Sequence, residues 1–114
     1  MTILQGEADL LLAADLFKAV SDPHRLEIVR HLLLGEHRVA DLVDHLGLAQ
    51  STVSAHVAVL RECGLLASHP HGRATYYTLA HPDRARALLQ AAEALLATAG
   101  TPVHILPTDQ QDIR

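Results

Sequence analysis

The chain has 114 residues, of which 49% are hydrophobic and 19% charged, with one cysteine and a net charge of −4. This composition predicts a single globular domain, and a lone cysteine excludes a disulfide framework. The negative charge argues against a protein that coats nucleic acid nonspecifically, and one Phe and two Tyr are too few for the stacking platforms of single-strand binders. Because there is neither a membrane-spanning apolar run nor a basic signal region, we expect a cytoplasmic protein that does not bind membranes.

Apolar spacing and turn residues predict five helices and one β-hairpin. The helices are expected at residues 7–20, 23–34, 39–46, 50–62 and 82–99, and the strands at residues 65–68 and 73–79. Asp22 and Pro23 are typical of a helix start, as N-cap and first helical residue. The Pro70-His71-Gly72 turn joins the two strands into a wing. Residues 1–100 are therefore expected to form the folded domain, and residues 101–114 a loosely ordered tail.

The fourth predicted helix has an unusual outward face. Val53, Val57 and Leu60 fall on one side, whereas small or hydroxyl residues fall opposite, among them Ser51 and Ser54. A solvated helix normally carries charge there, so this face favours contact with another molecule. Two helices joined by a short turn, the second presenting small polar side chains, are typical of a helix-turn-helix. The predicted fold is thus α+β, mostly helical: a winged helix-turn-helix with a two-stranded wing.

Several motifs resemble those of the ArsR/SmtB family of bacterial winged-helix repressors. They cover roughly residues 16–79 and read Ser21-Asp22-Pro23-His24-Arg25-Leu26, Leu46-Gly47-Leu48, Gln50-Ser51-Thr52-Val53-Ser54-Ala55-His56 and Gly72-Arg73. The resemblance implies a homodimer built on the first and last helices. It also implies a regulator that binds an inverted-repeat operator in double-stranded DNA and is released by an inducer, often a metal ion. The family commonly has Ser where Ala49 stands. Alanine has no side-chain oxygen to cap the helix, which lowers the stability of the helix by about 1 kcal/mol unless Ser51 takes over as the N-cap.

Residues for DNA binding and dimerisation follow from this resemblance by position. Gln50, Ser51, Thr52 and Ser54 are expected to meet the major groove, and His71 and Arg73 of the wing the minor groove. His56 lies at the edge of the apolar face, where a half-buried, hydrogen-bonded role and a DNA contact are both open. The expected dimer seam consists of small and apolar residues on the outer helices: Leu10, Phe17, Leu88, Ala92, Leu95 and Ala99.

Metal sensing has weaker support in this sequence. Where one family site has two thiolates, this chain has Arg38 and Ala40, and of a second cysteine site only Cys63 remains. A third family site lies between the last helices. Its nearest donors here, across a dimer interface, would suit zinc, nickel or cobalt: His81, Asp83, Glu93 and His104. We favour helix capping by His81 and Asp83, and a solvated Glu93, over this metal group.

The sequence gives less evidence for other functions. Cys63 can be a redox switch or form an interchain disulfide, but a small buried side chain is the favoured interpretation. The effector is then a metal ion at the last helix, a non-metal signal or a thiol-redox signal. A winged-helix module that binds proteins and not DNA is the alternative, supported only by the negative net charge. No constellation of nucleophile, base and oxyanion donors is evident, so we do not expect an enzyme.

Overall fold

The computed structural model describes residues 2–107, with side chains from residue 6 onward. In chain order the elements are α1 (Thr2–Val20), α2 (Pro23–Leu33), β1 (His37–Arg38), α3 (Val39–Leu46), α4 (Gln50–Glu62), β2 (Leu66–His71), β3 (Ala74–Leu79) and α5 (Pro82–Thr98). The predicted α+β winged helix-turn-helix is confirmed.

The helix ends follow from local sequence chemistry. The carboxylate of Asp22 accepts hydrogen bonds from the backbone N–H groups of His24 (2.8 Å) and Arg25 (3.2 Å), which confirms the predicted cap of α2. Gly47, at φ 69°, ends α3 in the left-handed conformation that glycine tolerates. Helix α4 starts after Ala49 without any side-chain cap, so the cap has not moved to Ser51.

The wing belongs to a three-stranded antiparallel sheet with strand order β1-β3-β2. Strand β1 pairs with β3 through His37 opposite Tyr77 and Arg38 opposite Tyr76. The sequence predicted only the two strands of the hairpin, because a strand of two residues carries no alternation to detect. The extra strand ties the wing to the segment between α2 and α3.

The core lies between α2, α3, α4 and the base of the sheet. Its fully buried side chains are Ile28, Leu42, Val53 and Leu60, and Val57 is 3% exposed, which confirms the predicted inner face of α4. Helix α2 differs from expectation. The spacing of Leu26, Val29 and Leu33 in the sequence predicts a stripe that faces the core. In the structure Ile28, Val29, His31 and Leu32 are buried, whereas Leu26 and Leu33 are half-buried. Because α2 contacts every other helix and β3, a wider arc of its surface is covered.

The outer helices leave apolar side chains exposed. Leu10 is 71% exposed, Phe17 59% and Leu95 71%, and Leu11 and Leu12 are similar. No helix within residues 2–107 has the length and hydropathy needed to cross a membrane.

The segment after α5 folds back on the domain as far as it is described. The carboxylate of Glu93 accepts hydrogen bonds from the backbone N–H groups of Ile105 (2.7 Å) and Leu106 (2.9 Å). Arg30 donates to the Ile105 carbonyl, and both apolar side chains pack against the core. The rest of the tail, 108–114, lies outside the described residues, so the division at residue 100 stays a prediction.

Candidate nucleic-acid interface

The first turn of α4 presents an uncharged polar surface. Gln50, Ser51 and Thr52 are exposed and Ser54 is half-buried. The amide of Gln50 donates to the hydroxyl of Ser54 at 3.3 Å, so these two side chains support each other. Within residues 2–107 the hydroxyls of Ser51 and Thr52 make no hydrogen bond, which leaves them available to an outside partner. The backbone N–H groups at this end of α4 also lack a side-chain acceptor and carry the positive end of the helix dipole.

The wing places one cation at its tip. Gly72, at φ 65°, makes the tight turn, and the exposed Arg73 follows it. Arg73 has no hydrogen-bond or ion-pair partner in the described part of the chain. The ring of His71 packs edge-on against Tyr76, with centroids 5.5 Å apart. Nε2 of His69 lies 2.9 Å from Oε2 of Glu36, which links the wing to the residue that precedes β1.

Arg25 connects three helices and was missed as a site residue by the sequence reasoning. Its guanidinium donates to the carbonyls of Ala19 and Lys18 at the end of α1, and to Nδ1 of His56 on α4 at 3.1 Å. Because a guanidinium can only donate, Nδ1 of His56 accepts, and a neutral His56 ring carries its proton on Nε2. His56 is therefore half-buried and hydrogen-bonded, and Nε2 remains for any DNA contact. The only sequence signal for this bridging of α1, α2 and α4 was the place of Arg25 in the Asp22-Pro23-His24-Arg25 motif.

The four candidate metal donors near the last helix, which the sequence analysis placed across a dimer interface, do not converge within one chain. Among residues 2–107, His81, Asp83, Glu93 and His104 form no group of ligand atoms close enough to share an ion. His81 is the N-cap residue of α5 but makes no side-chain capping bond, contrary to the capping interpretation. The N–H groups of Leu106 and Ile105 lower the pKa of Glu93, so this carboxylate is engaged by the tail and is not merely solvated.

Cys63 packs as a small half-buried side chain at the end of α4. Its thiol donates to the Leu60 carbonyl at 3.3 Å and lines a cleft of about 490 Å³ between α1 and α4. The chain has no second cysteine to pair with it. This environment favours the packing role over the redox role.

A different set of metal donors converges between α2, β1 and α3. One ring nitrogen from each of His31, His37 and His45 lies within 4.8 Å of the other two, and this is the one such cluster found in the described residues. The sequence reasoning missed it because the three residues come from three elements and share no period. The only available signal was the number of histidines, 9 of 114 residues.

Comparisons with known proteins agree with this architecture. The model of the family "Bacterial regulatory protein, arsR family" matches residues 22–68. The HTH-type transcriptional regulator CmtR of Mycobacterium tuberculosis (strain H37Rv) is 42% identical over 84 residues, covering 74% of this chain and 71% of that protein. A solved homodimeric winged helix-turn-helix DNA-binding domain from Mycobacterium bovis is 30% identical, with a TM-score of 0.73 over 88% of this chain and 94% of that one.

A further relative carries a metal in its name. The probable mercury resistance operon repressor of Streptomyces lividans is 35% identical over 69 residues, 60% of this chain. The present chain spans only 55% of the length of that relative.

Proposed function

The chain belongs to the ArsR family of bacterial regulatory proteins and is a DNA-binding transcriptional regulator, and we propose that it is a homodimeric repressor released from an inverted-repeat operator by an effector. The observation that carries the proposal is the exposed, uncharged polar face at the start of α4, beside a wing tipped by Arg73. A bacterial regulator of this kind acts in the cytoplasm, where the chromosome lies.

Each DNA contact has a physical basis in the exposed groups. Gln50, Ser51, Thr52 and Ser54 offer amide and hydroxyl groups that can bind base edges or phosphate oxygens in the major groove. The uncapped N–H groups of the first turn of α4 suit a phosphate. Arg73 and His71 of the wing fit a narrow minor groove, where negative potential is enhanced. His56 can add a contact through Nε2–H without giving up its bond to Arg25.

The outer helices supply the support for a homodimer. Leu10, Phe17 and Leu95 are more than half exposed in the single chain, and Leu88, Ala92 and Ala99 extend the same seam on α5. The radius of gyration, 15.3 Å, exceeds the value of about 13 Å typical of a compact chain of this length. A twofold dimer through α1 and α5 would cover these residues and present two α4 helices to the two halves of an inverted repeat.

Three kinds of effector are candidates: a metal ion, a thiol-redox signal and a non-metal ligand. A zinc, nickel or cobalt ion held by His81, Asp83, Glu93 and His104 needs donors from both protomers, and it must compete with the tail for Glu93. A thiol-redox signal rests on Cys63 alone. A metal effector in general is favoured by the relative named as a probable mercury resistance operon repressor. A non-metal effector leaves no recognisable site.

Fluorescence anisotropy on the duplex upstream of the gene tests the proposal. The variant Ser51→Glu with Ser54→Glu adds two negative charges to the α4 face of each protomer. We expect it to lose operator binding while remaining a dimer in sedimentation, because the charges face DNA phosphates. The matched control, Gln90→Glu with Ala97→Glu, adds the same charge at exposed positions of α5 that lie opposite the expected seam at 100° per residue.

The outcomes separate the two functional classes. Salt-sensitive binding by the wild type and the control, lost only in the serine variant, supports the repressor. Binding retained by the serine variant contradicts this interface. The protein-interaction alternative expects no operator binding by any of the three proteins, and no effect of Arg73→Ala.

A further inference from the structure

Three histidine rings form a compact cluster beside the helix-turn-helix. His31 lies on α2, His37 on β1 and His45 in the last turn of α3. The rings of His31 and His45 stack with centroids 4.6 Å apart, and the ring of His37 meets both edge-on at 5.8 and 5.7 Å. We call this cluster the histidine trio. It brings imidazole nitrogens together without any cysteine.

His31 has an unexplained polar atom. Its side chain is 3% exposed, and Nε2 has no hydrogen-bond partner among the described residues. The closest carboxylate oxygen, Oε2 of Glu27, lies 3.6 Å away, which is beyond hydrogen-bonding distance. Ring stacking explains why His31 packs against His45 but leaves this nitrogen unused. A buried polar atom without a partner calls for a specific explanation, and a bound ion is one of the few available.

The other features of the trio suit a cation. Nδ1 of His37 lies 3.0 Å from the Gly35 carbonyl, which can only accept, so Nδ1 carries the proton and Nε2 of a neutral ring keeps its lone pair. Histidine ligands are commonly oriented by such a second hydrogen bond. The Glu27 carboxylate adds a negative charge nearby.

We propose that His31, His37 and His45 bind a divalent cation of the zinc, cobalt or nickel class, and that this ion is the effector that weakens operator binding. Imidazole is a common ligand for these ions, whereas a softer ion prefers thiolates that the trio lacks. Three protein ligands leave a fourth position for water on the side of the exposed His45. The regulatory half of this inference rests on the proposed function.

Closure around the ion provides the mechanism. Ligand nitrogens in a tetrahedral zinc site lie about 3.3 Å apart, so rings now within 4.8 Å must approach by up to about 1.5 Å. His37 belongs to the strand that pairs with β3 of the wing, and His45 lies two residues before Gly47 in the turn that leads to α4. An ion that draws His37 and His45 towards His31 therefore shifts the wing and α4 relative to α2. Two sites coupled in this way typically change affinity about 5- to 150-fold.

Metal titration of the purified chain without DNA tests the site itself. Zn²⁺ is titrated into the metal-free protein against a chromophoric chelator, and Co²⁺ binding is followed by visible absorption. We expect a single zinc ion per chain, with affinity reduced roughly tenfold or more in His37→Gln and in His45→Gln. These variants leave the buried His31 in place, and circular dichroism checks their folding. His24→Gln, an exposed histidine outside the trio, is the control and should bind zinc normally.

Further variants and the operator assay make each outcome decisive. Unchanged zinc affinity in His37→Gln and His45→Gln would overturn the site. A loss confined to His81→Gln with His104→Gln would move the ion to the last helix and also overturn it. Zinc bound at the trio with no change in operator anisotropy would overturn the regulatory role alone. Absence of operator binding by the metal-free wild type would count against the proposed function, while the titration without DNA would still decide the site.

Discussion

The neutral, buried state of His31 makes the stability of the metal-free protein depend on pH. Burial, followed by electrostatic interaction with His45, His37 and Arg30, lowers the pKa of His31 from 6.5 in its ordinary state to about 4 in the fold. Below pH 6.5 the ring of His31 binds a proton in the unfolded chain but stays neutral in the folded chain. The free energy of unfolding therefore falls as the pH falls from 6.5 towards 4. The gap between the two pKa values corresponds to about 3 kcal/mol, of which about 2 kcal/mol is lost between pH 7 and pH 5.

Urea unfolding in the presence of a chelator measures this effect. Wild type and variants are compared at one protein concentration, because dimerisation contributes to apparent stability. We expect His31→Leu to lose most of the pH dependence between pH 7 and pH 5, and His24→Gln to keep it. The carboxyl groups with lowered pKa values, Asp22, Asp41 and Glu93, titrate below this window. A His31→Leu protein with the wild-type slope would refute the assignment of this pH dependence to His31.

Three further predictions concern the dimer, the tail and the helix junction. Leu95→Arg, at a position 71% exposed in the single chain, should fold normally but sediment as a monomer and bind operator weakly; a dimeric variant would contradict the seam. Glu93→Ala should release the Ile105 and Leu106 amides, seen as changed ¹H–¹⁵N shifts. The wild type should show the same change as the pH falls below the ordinary pKa of 4.5 and the carboxylate is protonated, whereas pH-insensitive amides would argue against this contact. Arg25→Lys should lower the free energy of unfolding by about 1–2 kcal/mol, because one ammonium cannot reproduce a guanidinium that binds two carbonyls and His56; urea unfolding with unchanged stability would exclude this bridging role.

Local signals were strong enough to predict most of the fold. Helices α3 and α4 were predicted at their observed bounds, because Gly47 ends one and the Val53, Val57 and Leu60 spacing fixes the buried face of the other. The exposed polar start of α4 followed from the same phase. The hairpin was predicted because Gly72 permits a tight turn, but the turn was placed too early: Pro70 and His71 extend β2 opposite Thr75 and Ala74, and only Gly72 and Arg73 form the turn.

Tertiary contacts account for what the sequence did not predict. His31 is polar, and the apolar stripe of α2 did not include it, yet α2 is so widely covered that the ring is buried. Strand β1 exists because β3 offers it an edge to pair with. The triple role of Arg25 and the convergence of the histidine trio depend on where separate elements meet, and no periodicity within one element records that.

Helix α2 offers a physical route from the trio to the dimer seam. Arg30, adjacent to His31, binds the Glu27 carboxylate at 2.9 Å and also the Ile105 carbonyl, and the Ile105 N–H is held by Glu93 of α5. A cation in the trio attracts the same Glu27 carboxylate and so competes with Arg30 for it. If Glu27 turns towards the cation, it no longer holds the Arg30 guanidinium beside the Ile105 carbonyl, and we expect the contact between α2 and the segment after α5 to loosen. Helix α5, with its C-cap Ala99, carries four of the six residues of the proposed dimer seam. Because the spacing of the two α4 helices depends on that seam, zinc can act on operator binding through the dimer as well as through the wing. Glu93→Ala removes the link between α5 and Ile105, and it leaves the three histidines of the trio unchanged. Zinc affinity should therefore be unchanged, while the effect of zinc on operator anisotropy becomes smaller because only the route through the wing remains.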